Sequence, residues 1–111
     1  MSRRKYGNKK IKANGHVFDS KKEYKRYLEL MQMFMDGEIS APVLQQTFEL
    51  IPSQRGPDGK VIERPVKYKA DFVYMKDGEM VVEDTKGYKT PDYIIKRKLM
   101  LYIHGIRIVE L

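Results

Sequence analysis

The chain contains no cysteine, which excludes disulfides and thiolate zinc sites and favours an intracellular setting. No apolar stretch approaches the roughly 20 residues of a membrane span, and the basic N-terminus is not followed by an apolar signal core. A soluble, cytoplasmic protein without membrane partners is therefore expected. There is no internal repeat and no low-complexity tract. Acidic residues are missing before Asp19, whereas Arg3, Arg4, Lys5, Lys9, Lys10 and Lys12 all precede it. His16 has no histidine or cysteine at ligand spacing and reads as a surface or turn residue.

What is present starts with charge. Among 111 residues, 22 Lys and Arg face 15 Asp and Glu, a net charge of +7 that favours a polyanionic partner. The length suits one domain. Within it, residues 1–18 form a basic arm whose lysines can track phosphates in a salt-sensitive way, or simply keep a tail solvated. Asn14-Gly15 is a tight-hairpin signal because both residues tolerate positive φ, so a short N-terminal β-ribbon is expected.

Ser20 to Met35 reads as a helix. Ser20 fits the N-cap, Glu23 three residues on completes a capping box, and Gly37 ends the element. Tyr24, Tyr27, Leu28, Met31, Phe34 and Met35 recur at helical spacing as one apolar face. Val43 to Ile51 reads as a strand with Gln46, Phe48 and Leu50 on one side. Residues 52–65 are rich in Gly, Pro and charge, with a turn at Pro57-Asp58-Gly59, and read as a long hairpin loop carrying Arg55, Lys60 and Arg64. Phosphate contact and plain solvation both suit such a loop.

Val66 to Tyr74 is the next strand. Strict alternation puts Lys67, Lys69 and Asp71 on one face and Val66, Tyr68, Ala70 and Phe72 on the other. Asp77-Gly78 then turns the chain into a second run with Val82, Asp84 and Lys86 on one face and Val81, Glu83 and Thr85 on the other. Thr90-Pro91 caps a second helix over Tyr93 to Ile103, with Ile94, Ile95, Leu99, Tyr102 and Ile103 core-like. Gly105 closes it, and 106–111 is a final strand, parallel to its partner through a right-handed crossover.

The hairpin at Asp77-Gly78 returns Asp71 to Asp84, so two carboxylates and Lys86 converge at one end of the sheet. Oxygen ligands from one or two carboxylates, completed by water and phosphate, are how Mg²⁺ is usually held. A lysine beside them can orient the attacking water and stabilise developing charge. Taken alone, Asp84 and Lys86 also read as an ordinary exposed ion pair.

Asp71, twelve residues, and then Asp84-Thr85-Lys86, with a helical Glu23 upstream, resembles the PD-(D/E)xK nuclease superfamily. The likeness is to small phage and prophage proteins of that type, through Tyr-Gly-Asn-Lys-Lys near the start, Phe-Asp-Ser-Lys-Lys-Glu at 18–23, Ala-Asp-Phe at 70–72 and Val-Val-Glu-Asp-Thr-Lys-Gly at 81–87. Ala70 stands where the superfamily's name has proline, a slot that carries no ligand, and the small size leaves no separate specificity domain.

The resemblance implies a restriction-endonuclease-like αβββαβ core, a mixed sheet flanked by helices, over residues 19–111. It implies Mg²⁺, replaceable by Mn²⁺, held by Asp71, Asp84 and the backbone carbonyl of Thr85, with Lys86 positioning the water. It also implies that Glu23 assists as a further ligand, which competes with its local reading as a cap. Gln46 falls where several relatives place a polar residue beside the site, and otherwise reads as a strand-edge glutamine. DNA, branched DNA included, is the implied substrate, a homodimer the implied assembly, and a bacterial cytoplasm the implied setting. Arg3, Arg4, Lys5, Lys9, Lys10, Lys12, Arg55, Lys60, Arg64, Lys67, Lys69 and Lys89 would grip phosphates without reading bases. The alternative is a basic DNA-binding accessory protein in which Asp71, Asp84 and Lys86 are structural.

Overall fold

The structure, a computed structural model, describes residues 9–111; Arg3, Arg4 and Lys5 lie outside them. Ile11–Ala13 (β1) and His16–Phe18 (β2) form the expected ribbon, with Asn14 at φ 52° and Gly15 at φ 78°. Its work is to deliver Phe18, fully buried against Tyr24 and Tyr27 of the helix that follows.

That helix, Lys21–Met35 (α1), starts where Ser20 Oγ accepts the Glu23 amide at 3.1 Å. Its buried stripe is Glu23, Tyr27 and Leu30, with Tyr24, Met31 and Met33 half-buried beside it. Leu28, Phe34 and Met35, expected inside, are exposed. The inward direction is thus rotated by about a residue from the purely apolar stripe, because a carboxylate is packed inward at the first turn.

A central sheet is ordered Val43–Ile51 (β3), Val66–Lys76 (β6), Glu79–Asp84 (β7) and Val109–Glu110 (β8). The first two neighbours pair antiparallel and the last pair is parallel, as the intervening helix requires. Asp77 (φ 51°) and Gly78 (φ 79°) make the tight turn from β6 to β7. The final strand is shorter than the 106–111 expected. Between β3 and β6 the long loop is itself a small ribbon, Gln54–Arg55 (β4) with Val61–Glu63 (β5), closed by the Pro57-Asp58-Gly59 turn.

The second helix, Pro91–His104 (α2), is capped by Thr90 and ends on Gly105 in the left-handed region at φ 66°. Tyr93 and Met100 are its buried residues, with Ile94 and Leu99 packed alongside. Ile95, Tyr102 and Ile103, expected in the core, are exposed. Apolar residues run almost round this helix, so periodicity did not fix the facing side, and the four-stranded sheet covers only one stripe of it.

Two apolar clusters lie on opposite faces of the sheet. One joins α2 to Phe48, Leu50, Tyr68, Ala70, Val73 and Val82; the other joins α1 and Phe18 to Leu44, Phe72, Tyr74 and Val81. Strict alternation would keep Ala70 and Phe72, together with Leu44 and Phe48 of the paired strand, on one face. Both strands instead exchange faces at the same level: Gln45 has φ 57°, and the β3–β6 ladder omits the Gln45/Asp71 position. The expected grouping of Phe72 with Tyr68 and Ala70 is corrected on that account. The exchange falls at Asp71, beside the carboxylates of interest.

Candidate active site

The β6–β7 ladder closes on Phe72 opposite Glu83, so Asp71 and Asp84 occupy the next level, where the strands part. Asp71 Oδ2 accepts both the Thr85 amide (2.8 Å) and the Thr85 hydroxyl (2.7 Å). Asp84 Oδ1 accepts the Lys86 amide at 3.1 Å, and Oδ2 accepts the Tyr68 phenol at 2.5 Å. Successive amides of one short segment therefore aim the two carboxylates. Asp71 and Asp84 thus hydrogen-bond to the consecutive residues Thr85 and Lys86.

Glu23, on α1, is near enough to feel the charges of Asp71 and Asp84. It is 3% exposed, and Gln45 Nε2 lies 3.4 Å from its Oε1. Only half of the expected capping box forms: Ser20 caps the Glu23 amide, while among the described residues no bond runs from the Ser20 amide to the Glu23 carboxylate. Burial pushes the Glu23 carboxyl up to about 7, helped by the charges of Asp71, Asp19 and, less, Asp84, with a backbone hydrogen bond at Asp19 working the other way. Burial likewise pushes Asp84 up to about 6; the Tyr68 hydrogen bond opposes this, Asp71 adds to it and Lys86 opposes it. Both carboxyls resist ionisation chiefly because they are buried, and the charge of Asp71 adds to the effect in each.

Lys86 sits just beyond β7 with Nζ 5.4 Å from the centre of the Tyr93 ring, a cation–π distance. The Tyr93 hydroxyl donates to Glu110 Oε2 at 2.6 Å, which anchors that ring to β8. Tyr68 and Tyr93, 6.2 Å apart between ring centres, thus back Asp84 and Lys86 from the α2 side. Burial, followed by the Asp84 hydrogen bond and charge, holds the Tyr68 phenol far above its ordinary range, so it stays a donor.

Several site residues were invisible in the sequence. Gln46 lies opposite Ala70, and the glutamine that reaches Glu23 is its neighbour Gln45, turned by its positive φ. Tyr68 carries no local signal, since its role depends on which face its strand turns to α2. Of the basic residues, Lys9, Lys10, Lys12, Lys60, Arg64, Lys67 and Lys69 are exposed. Lys67 and Lys69 stand opposite Glu49 and Thr47 in the ladder. Arg55 and Lys89 are exposed as well, Arg55 donating to the Gly59 carbonyl at 2.7 Å and Lys89 lying 3.8 Å from Glu110.

Among the described residues, no three histidine, cysteine, aspartate or glutamate side chains are close enough to hold an ion unaided. Mg²⁺ does not need such a cage: it keeps several waters and takes one or two carboxylates. Asp71 and Asp84, hard oxygen donors with excess negative charge around them, fit that coordination habit.

The molecule is a small mixed α/β domain, a mixed sheet flanked by two helices, with Asp71 and Asp84 at the level where two antiparallel strands part. Residues 3–107 match the family described as Protein of unknown function (DUF1064), and the chain belongs to that family. No curated protein and no solved structure matches it.

Proposed function

We propose that the protein is a Mg²⁺-dependent DNA endonuclease of the PD-(D/E)xK type, selective for DNA structure, branched DNA included, over sequence. The observation that carries this reading is the convergence of Asp71, Asp84 and the buried Glu23, the last two with raised carboxyl pKa values, beside Lys86. Carboxylates that burial, with a contribution from the charge of Asp71, makes resist ionisation are a poor device for stability and a good one for a cation. The element order α1, β3, β6, β7, α2, β8 also supports a restriction-endonuclease-like core. A basic surface supplies the attraction for a polyanion.

On this reading Asp71, Asp84 and the Thr85 carbonyl would hold the ion, with Glu23 as a further acidic partner. The ion would supply Lewis-acid polarisation of the scissile phosphate and neutralisation of its growing charge. Lys86, held over Tyr93, orients a water for attack on phosphorus and offers positive charge to the reacting oxygens. The new P–O bond comes from that water, one ester P–O bond breaks, and the departing oxygen leaves with a proton. Tyr68 keeps Asp84 pointed at the site by donating to one of its oxygens. Exposed lysines of the β1–β2 ribbon and of β6 contact phosphates without reading bases.

The test is cleavage of plasmid and four-way-junction DNA with and without Mg²⁺. Asp84→Ala and Lys86→Ala are expected to abolish cleavage while retaining DNA binding. Full activity in either variant refutes the assignment, and binding without cleavage by the unaltered protein favours a non-catalytic DNA-binding role.

A further inference from the structure

We propose that Arg26, Glu83 and Tyr74 form a positioning lock that holds α1 in register on the sheet and so sets Glu23 beside Asp71 and Asp84. The inference rests on the metal-site reading above and concerns a group of residues outside the Asp, Asp-x-Lys pattern.

Glu83 is 1% exposed and precedes Asp84 in β7, so the two side chains leave the strand on opposite faces. Asp84 serves the carboxylate cluster; Glu83 turns the other way, to α1. There Arg26 Nε donates to Glu83 Oε1 at 2.8 Å and Arg26 Nη2 to Oε2 at 2.7 Å. This is a two-pronged fork, and the Tyr74 hydroxyl donates to the same Oε2. Glu29 steadies the fork from its own helix, 3.1 Å from Arg26 Nη1. No buried side-chain polar atom among the described residues lacks a partner, so the lock is complete as built.

An ion pair buried at its carboxylate end, with Arg26 half-buried, is a weak source of stability, since desolvation offsets much of the attraction. Its geometric effect is stronger. Apolar packing of Tyr27 and Leu30 is non-directional and tolerates sliding or rotation of a helix, whereas a planar fork fixes both ends of a carboxylate to within tenths of an ångström. Arg26 lies three residues after Glu23, on the same side of α1. Fixing Arg26 to β7 therefore fixes Glu23 relative to Asp84, the very next residue of that strand. Burying a charge pair here makes sense if what matters is where the first turn of α1 stands.

The experiment is calorimetric titration of the full chain with Mn²⁺, using wild type, Arg26→Lys, Arg26→Gln, Tyr74→Phe, Glu23→Gln and the double variant Arg26→Gln/Glu23→Gln, each checked by thermal melting. Substitutions of residues that orient metal ligands typically weaken binding about 10- to 100-fold, and Arg26→Gln is expected in that range. Arg26→Lys keeps the charge, cannot form the fork and should weaken binding by a smaller factor; Tyr74→Phe should do so less again. The double variant should bind no more weakly than Glu23→Gln alone, because Arg26 acts through Glu23.

Unchanged affinity in both Arg26 variants overturns the proposal. So do losses that multiply in the double variant, or a loss in Arg26→Gln with none in Glu23→Gln. If Arg26→Gln fails to fold, Arg26→Lys and Tyr74→Phe decide. Absence of Mn²⁺ binding by wild type is a different failure: it overturns the metal-site reading itself, and the lock with it.

Discussion

Replacing Glu23 by glutamine should stabilise the metal-free protein above neutrality and leave it unchanged in acid. The side chain is buried, and its carboxyl is raised from 4.5 to about 7. At about 1.4 kcal/mol per pKa unit, that difference is worth roughly 3 kcal/mol. The sign follows from proton binding. Below about pH 4 the carboxyl is protonated in both states and contributes nothing to the difference. Between its unfolded value and about 7 the unfolded chain releases the proton while the folded one keeps it, so stability falls as pH rises, and the loss is complete above about 7.

Glutamine keeps the shape and the contact with Gln45 without the charge. Because Asp84 is itself raised from 3.8 to about 6 and the two groups share the influence of Asp71, their contributions overlap and do not sum. The gain at about pH 8 should therefore be roughly 1–3 kcal/mol, or an increase in melting temperature of about 5–15 °C for a chain of this size. Melting followed by circular dichroism in chelator, at about pH 8 and about pH 4, measures it. Equal effects at both values, or destabilisation at the higher one, would refute the account of Glu23 as a buried carboxyl that resists ionisation. Mg²⁺ should raise the wild-type melting temperature at about pH 8 and lose that effect as pH falls through about 7 and then 6, since protons compete for the same oxygens.

Tyr68→Phe removes the donor that opposes the rise of the Asp84 carboxyl, so the acid limb of any Mg²⁺-dependent activity should move to higher pH, at a stability cost of about 1–2 kcal/mol; a pH–rate profile identical to wild type would argue against that link. Phe72→Ala empties a fully buried position in the α1-side cluster and should cost about 3–5 kcal/mol by denaturant unfolding, a value below 1 meaning that the face exchange at Asp71 has been misassigned.

Local chemistry carried much of the fold. Asn14-Gly15 and Asp77-Gly78 accept positive φ at low cost and became hairpins, and the caps at Ser20 and Thr90 and the stop at Gly105 mark the helices. These signals act within a few residues, so they could be read before any tertiary contact was known. The β6–β7 register that puts Asp71 and Asp84 at the level just beyond the ladder was legible for the same reason: a tight turn between two strands fixes register, and register fixes which residues face each other.

What only the tertiary structure decided is everything that crosses a face or joins distant elements. Period-two reasoning assigned Phe72 to the wrong layer because Gln45 and Asp71 interrupt the alternation together, and a single strand cannot announce what its neighbour does. Gln45, turned by its positive φ, is the glutamine in contact with Glu23, and Ile95 and Tyr102 were placed in the core because a helix apolar on most sides needs the sheet to choose among them. Arg26 and Glu83 are far apart in the chain and unremarkable separately; they meet only because α1 lies across β7. The sequence determined which groups are available, through turns and caps whose energies are local. Packing determined which of them share a buried, charged space, because burial and Coulomb interactions depend on distance through space, for which distance along the chain is no guide.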